Sequence, residues 1–263
     1  MGSQIMKDEV RFGVYPSLRE QLVLITGGAS GIGAALVEEF AAQGSRVAFL
    51  DIDRSSGEKL AAGLATKCSH APAFVVCDVT DIAGLQAAVA EVEARFGTIG
   101  VLVNNAGNDA RHSIEEVTAE YWDRAMAVNL RHQFFAAQAV IPAMRKAGRG
   151  SIIHLSSISW IIPSTGMPVY IAAKAAIVGL TRTLAHELGG DNIRVNCVLP
   201  GAILTARQKE LWFTDAYRDE ILRNQALKRM ILPEEVARLV LFLAAEDSGA
   251  ITGQSCVIDG GWV

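Results

Sequence analysis

Seven short runs of β-branched and apolar residues, separated by stretches of helical periodicity, run the length of the chain. The strand candidates are LVLIT (22–26), RVAFL (46–50), AFVVC (73–77), VLVNN (101–105), SIIHL (151–155), IRVNCVL (193–199) and SCVID (255–259). Helical patterns fall near 32–43, 55–66, 82–96, 118–147, 169–188 and 233–245. Strand alternating with helix makes right-handed βαβ crossovers and a parallel sheet covered on both faces. The expected fold is α/β, a doubly wound parallel sheet. With 263 residues, 51% of them hydrophobic, and no break in composition, a single domain over 20–263 is expected, preceded by a loose arm at 1–19.

The first strand runs into TGGASGIG (26–33) and on into the helical AALVEEF. Gly27, Gly31 and Gly33, with Ser30 and Ile32 between them, let the backbone turn tightly against a pyrophosphate, whose charge would face the positive end of the helix. The spacing is G-x-x-x-G-x-G rather than G-x-G-x-x-G, so the rest of the chain has to support it. It does. Asp51 ends the second strand 24 residues after Gly27, where a carboxylate can accept from the adenosine ribose hydroxyls; Asp53 competes for the same role. Asp78 and Val79 follow the third strand and would flank the adenine, and NNAG (104–107), with Asn105, Ala106 and Gly107, follows the fourth. All lie at strand C-terminal ends, where open α/β sheets bind ligands, so the unit reads as a Rossmann-type dinucleotide domain.

Composition excludes other classes. A net charge of −4 and no run of Lys or Arg give no footprint for nucleic acid or an anionic membrane. No apolar run reaches the roughly 18 residues of a membrane span, and the first residues lack a signal-like apolar core. Cys68, Cys77, Cys197 and Cys256 form no CxxC pair, which points to reduced thiols and a cytoplasmic protein. HELGG (186–190) lacks the second histidine of a zinc-protease motif, so no metal site is expected. His70 and His154 read as structural or solvated. The stretches 118–147 and 169–188 carry many small and apolar residues, among them Phe134, Phe135, Ala136, Ala137, Ala172, Ala173, Ala175 and Ala176, which suit either the core or helix-to-helix assembly of subunits.

Tyr170 and Lys174 are one helical turn apart on one face, and Ser157 lies thirteen residues upstream. A phenol with an ordinary pKa of about 10 is a poor base at neutral pH, and a lysine charge beside it favours the phenolate. With these pieces, from about residue 20 to the C-terminus, the chain resembles the short-chain dehydrogenase/reductase superfamily: Thr26, Gly27, Gly31, Gly33; Asn104, Asn105, Ala106, Gly107; Asn129; Ser157; Tyr170 and Lys174; Pro200 and Gly201. The resemblance implies that Tyr170 takes the hydroxyl proton of an alcohol while the nicotinamide ring takes hydride, and that Ser157 hydrogen-bonds the reacting oxygen. It implies that Asn129 holds a water linking Lys174 to solvent, a role compatible with an amide at a helix kink. It further implies that Pro200, Gly201, Ile203 and Thr205 line the nicotinamide side, with Thr205 on the carboxamide, and that the chain assembles as a homotetramer.

The substrate is read from loops. Asn108, Asp109, Arg111 and His112 follow the fourth strand, Trp160 follows Ser157, and Arg207, Gln208 and Trp212 follow PGAILT. These amide, carboxylate, guanidinium, imidazole and indole groups suit a polyhydroxylated ring better than an acyl chain, although charged loop residues also simply face solvent. YPSL (15–18), NNAGNDxRH (104–112), VNLRH (128–132), SISW (157–160), TxRQ (205–208) and DGGW (259–262) look like the bacterial NAD-dependent D-xylose 1-dehydrogenases, which implies oxidation of a small sugar, D-xylose first, at C1 to its lactone. L-Arabinose, D-galactose, a 6-deoxy sugar or a sugar-derived acid remain open, because IIPSTGMP (161–168) has no counterpart in that resemblance. A carbonyl or oxoacyl reductase would want a basic residue near Ser30 or in place of Asp51, and a non-enzymatic dinucleotide sensor would be free to lose Tyr170 or Lys174.

Overall fold

The computed structural model describes residues 12–212 and 214–263. The strands are β1 (Leu22–Thr26), β2 (Arg46–Asp51), β3 (Ala73–Val76), β4 (Val101–Asn104), β5 (Gly150–Leu155), β6 (Ile193–Pro200) and β7 (Ser255–Ile258). They form one sheet in the order β3-β2-β1-β4-β5-β6-β7, every pair parallel. Burial follows position in that order. The interior strands β1 and β4 are buried at every residue, whereas the edge strands β3 and β7 are partly exposed along their length.

Helices α1 (Gly31–Ala42), α2 (Arg54–Leu64), α3 (Ile82–Phe96), α4 (Ala119–Met126), α5 (His132–Ala147), α6 (Pro168–Leu188), α7 (Ala206–Leu211), α8 (Asp215–Asn224) and α9 (Pro233–Ala244) cover the sheet. On one face α1 packs on α9, burying Leu36, Val37 and Phe40 with Val236 and Val240. On the other, α3 packs on α5, burying Leu85, Val89 and Val92 with Ala136, Val140 and Met144. The strand order reverses between β1 and β4, whose C-terminal residues Thr26 and Asn104 are in register, and this opens the crevice in which such sheets bind ligands.

Three expectations are revised. The single helix at 118–147 is broken by a π-helical turn at Ala127–Arg131, which joins α4 to α5 and carries Asn129. Helices α7 and α8 add to the expected set; α8 (DAYRDEILRN) buries only Ile221 and shows little apolar stripe in the sequence. Of the N-terminal arm, residues 1–11 lie outside the described residues, but the part next to β1 is docked: Leu18 is buried, the Tyr15 N–H donates to Gln43 Oε1 at 2.8 Å, and Ser45 Oγ donates to the Leu18 carbonyl at 2.8 Å. Packed chain therefore begins before residue 20. No described helix is long and apolar enough to cross a membrane.

Candidate active site

A cavity of about 920 Å³ lies at the C-terminal ends of the strands, near the top of the roughly 300–1,000 Å³ range of ligand sites. Its first wall is the glycine turn. Gly27 has φ +66°, and a Cβ there would lie 2.7 Å from the Ala106 Cα; a Cβ at Gly33 would fall on the Gly27 carbonyl. Asn105 Nδ2 donates to the carbonyls of Gly27 (2.8 Å) and Thr26 (3.1 Å), and Thr26 Oγ1 accepts from the N–H groups of Asn105 and Ala106 at 3.1 Å each. Asn105 thus clamps the turn as well as lining the cavity. Ser30, Gly31, Ile32 and Gly33 line the cavity at the start of α1, and Ser30 makes no side-chain cap bond, so the helix presents first-turn N–H groups and its positive end to the crevice. A pyrophosphate fits this cradle.

The two aspartates differ in what each already holds. Asp51 lines the cavity, accepting from the N–H groups of Ala29 (2.9 Å) and Asp53 (3.0 Å) with lone pairs to spare. Asp53 is outside the cavity lining and caps α2, accepting from Ser56 N at 3.1 Å and Ser56 Oγ at 2.6 Å. Arg54 is exposed and paired with Glu58 at 3.3 Å. Asp78 and Val79 lie on the same wall, Asp78 accepting from Thr80 N and Oγ1.

Tyr170, Lys174 and Ser157 all line the cavity. Tyr170 and Lys174 are on successive turns of α6, with Nζ 5.4 Å from the phenol ring centroid. Nζ donates to the Leu155 carbonyl at 2.8 Å. Ser157 Oγ accepts from Ser159 N at 3.1 Å, so its own O–H is free to donate into the cavity that it lines together with Tyr170. Asn129 lies behind the cavity wall: Oδ1 accepts from Asn108 N at 2.8 Å, and Nδ2 donates to the carbonyls of Asn108 (3.1 Å) and Ala125 (3.0 Å). Gly107 leaves room for both groups, since a Cβ there would lie 3.2 Å from Asn129 Oδ1 and 3.3 Å from Lys174 Nζ.

Burial dominates the electrostatics of the Tyr170 and Lys174 pair. The Tyr170 phenol is held above its ordinary range, first by burial and then by Asp109, while Ser157 and Arg111 act in the opposite sense. Burial lowers Lys174 to about 8. Desolvation is the largest single influence on the phenol. His132 and His154 are lowered to about 3, first by burial and then by Lys174, and are neutral; His154 joins Asn104 and Gln133 in a buried polar cluster.

Pro200, Gly201, Ile203 and Thr205 line the far side. Gly201 is in contact with the C-terminal turn, where a Cβ would lie 2.7 Å from Asp259 Cβ. Thr205 caps α7 by accepting from Gln208 N at 3.1 Å, which leaves its O–H as a donor. At the substrate end Asp109 accepts from Gln208 Nε2 at 2.9 Å and pairs with Arg207 at 3.6 Å, and Arg207 also reaches Asn108 Oδ1 at 3.2 Å. Arg111 donates to the Thr165 carbonyl at 3.3 Å and lies over the Trp212 ring at 5.6 Å.

Three expected substrate residues do not line the cavity. Trp160 projects to solvent, His112 packs edge-on against Tyr121 at 4.7 Å, and Trp212 lies under Arg111. Conversely, the 161–168 connection enters through Ile162 to Thr165 and Met167, while Tyr217, Glu220 and Asn224 enter from α8 and Trp262 from the C-terminus. The i, i+3, i+7 spacing of the α8 residues was the only available signal for them.

A family model described as enoyl-(acyl carrier protein) reductase matches residues 27–263. The chain belongs to the short-chain dehydrogenase/reductase family. This short-chain oxidoreductase is 48% identical over 247 residues to a probable galactose dehydrogenase of Rhizobium meliloti (strain 1021), covering 94% of this chain and 96% of that one. It is also 48% identical over 249 residues to D-xylose 1-dehydrogenase of Caulobacter vibrioides (strain NA1000 / CB15N), covering 95% and 98%. Among solved structures it superposes on L-sorbose reductase from Gluconobacter frateurii complexed with NADPH and L-sorbose, with a TM-score of 0.88, 32% identity and coverage of 95% and 98%.

Proposed function

We propose that this short-chain dehydrogenase/reductase oxidises a small aldose at C1 to its lactone with NAD, D-xylose being the first substrate to test. The observation that carries the reading is the joining of Ser157, Tyr170 and Lys174 to a polar substrate end built from Asn108, Asp109, Arg207 and Gln208 in one cavity. The names of the galactose and D-xylose dehydrogenase relatives support it. A bound nicotinamide dinucleotide supplies the hydride acceptor. Tyr170 takes the proton of the anomeric hydroxyl, Ser157 donates to the same oxygen, and Lys174 holds positive charge beside the phenol. Asn129, fixed to Asn108 and beside Lys174, is the position for a proton exit. Asp51 accepts from the adenosine ribose. The exposed Phe134, Ala172 and Ala176 on α5 and α6 suit a homotetramer, and the protein is assigned to the cytoplasm on its reduced cysteines.

The test is a panel of aldoses and sugar acids with NAD, following the reduced cofactor, with mass spectrometry of the product. An aldonolactone, or the aldonic acid from its hydrolysis, is expected. Turnover of an apolar ketone with a reduced cofactor, and of no sugar, would favour a carbonyl or oxoacyl reductase.

A pH dependence follows from the site. Tyr170 must lose its own proton before it can take another, and burial holds that proton on. Oxidation should therefore speed up with pH, by up to about tenfold per unit on the rising limb. The rise should flatten above about 8, where Lys174 loses the charge that favours the phenolate. Asp109→Asn should move the rising limb to lower pH and Arg111→Met to higher pH. A profile of kcat/KM that is flat or falls from about pH 6 to about pH 10 is incompatible with a tyrosine base.

A further inference from the structure

The face of α8 carrying Tyr217, Glu220 and Asn224 looks into the cavity, and Ile221 on the same side is buried and anchors the helix. The helix is held in register with the C-terminal turn: the N–H of Ala226 donates to the Gly261 carbonyl at 3.1 Å and that of Leu227 to the Gly260 carbonyl at 2.9 Å. Gly260 and Gly261 have φ of +71° and +81°, and Asp259 accepts from the N–H groups of Gly261 (2.8 Å) and Val263 (2.9 Å). Trp262, on this turn, lines the cavity and packs against the apolar cluster of Ile158, Ile177, Cys197 and Leu199 beside Ser157. Asn224 and the Trp262 indole are thus carried on one latched unit.

Asp109 and Arg111 line the same cavity as Tyr170 and Tyr217, and both act electrostatically on each phenol. A ring whose reacting carbon is at Tyr170 shares this cavity with Asp109, Arg111 and the exposed face of α8. The groups waiting there are a phenol, a carboxylate and an amide. Both neighbouring guanidiniums are engaged, Arg207 by Asp109 and Asn108, Arg111 by the Thr165 carbonyl and Trp212, whereas Glu220 has no cationic partner among the described residues. This end suits hydroxyl groups and repels an anion.

Resting on the sugar-dehydrogenase reading, we propose that Tyr217, Glu220 and Asn224 are specificity-determining residues: they read the uncharged hydroxyls at the end of the sugar remote from C1, with its apolar ring face on Trp262, and so set the preference between pentose and hexose.

The experiment compares the parent with Glu220→Gln, Asn224→Ala and Tyr217→Phe, all saturated with NAD, on two matched pairs. D-Xylose and D-glucose, and L-arabinose and D-galactose, differ within each pair only by a CH₂OH on C5. The variants should change the hexose-to-pentose ratio of kcat/KM by about tenfold or more, chiefly through KM, with the KM for NAD and the lactone product unchanged. D-Galacturonate should be a poor substrate of the parent and gain on Glu220→Gln relative to D-galactose. Equal scaling of all four sugars by every variant, or no change in any, would overturn the inference while leaving the sugar reading intact. A parent inactive on every aldose would remove that reading, and this inference with it.

Discussion

Replacing Tyr170 with Phe is expected to lower turnover by about 10²- to 10⁴-fold, the usual loss when a positioned proton acceptor is deleted. The substitution keeps the ring that packs at the head of α6 and 5.4 Å from Lys174 Nζ, so fold and cavity should survive. The glycine turn, Asp51 and Thr205 are untouched, and dinucleotide affinity, read by quenching of protein fluorescence, should stay near that of the parent. The residual rate would come from positioning by Ser157 and by the sugar subsite. Lys174 offers no substitute base, because its Nζ is tied to the Leu155 carbonyl and it remains charged below about 8. Activity within a few-fold of the parent would sink the assignment of Tyr170 as the base.

What was legible in the sequence was whatever repeats a local physical pattern. The central strands are buried on both faces, so LVLIT and SIIHL announced themselves as unbroken apolar runs. Gly27 and Gly33 are fixed by contacts that admit no side chain, and Tyr170 and Lys174 by the pitch of one helix. Two other kinds of feature were hidden. The π-helical turn that aims Asn129 is a local widening of the hydrogen-bond ladder with no side-chain signature in AVNLR. Helix α8 hid because most of it faces the cavity or solvent and only Ile221 is buried. The desolvation of Tyr170 was hidden for the same reason: spacing gives the distance to a lysine, but only packing gives the burial that raises the phenol. Trp160 illustrates the converse, since following Ser157 in sequence put it on a 3₁₀ turn that points it outward.

The cofactor preference is the second large effect expected, and it depends on which aspartate stands at the ribose. Asp51 lines the cavity, and its two oxygens already accept the Ala29 and Asp53 N–H groups, which fix it in place and leave lone pairs for ribose hydroxyls. A 2′-phosphate would bring at least one further negative charge to the same spot, and like charges so placed cost several kcal/mol. At about 1.4 kcal/mol per tenfold, NAD should be favoured over NADP by about 10²- to 10³-fold in kcat/KM. Arg54 would have to leave Glu58 to rescue the phosphate, an exposed pair whose loss costs little, so the prediction rests on the carboxylate. Asp51→Ala should remove most of the discrimination, mainly by improving NADP. Asp53→Ala is the control: it deletes the cap of α2 and should lower the melting temperature slightly without moving the cofactor ratio. If the ratio instead follows Asp53, or if the parent uses NADP as well as NAD, the ribose contact is not the one assigned to Asp51.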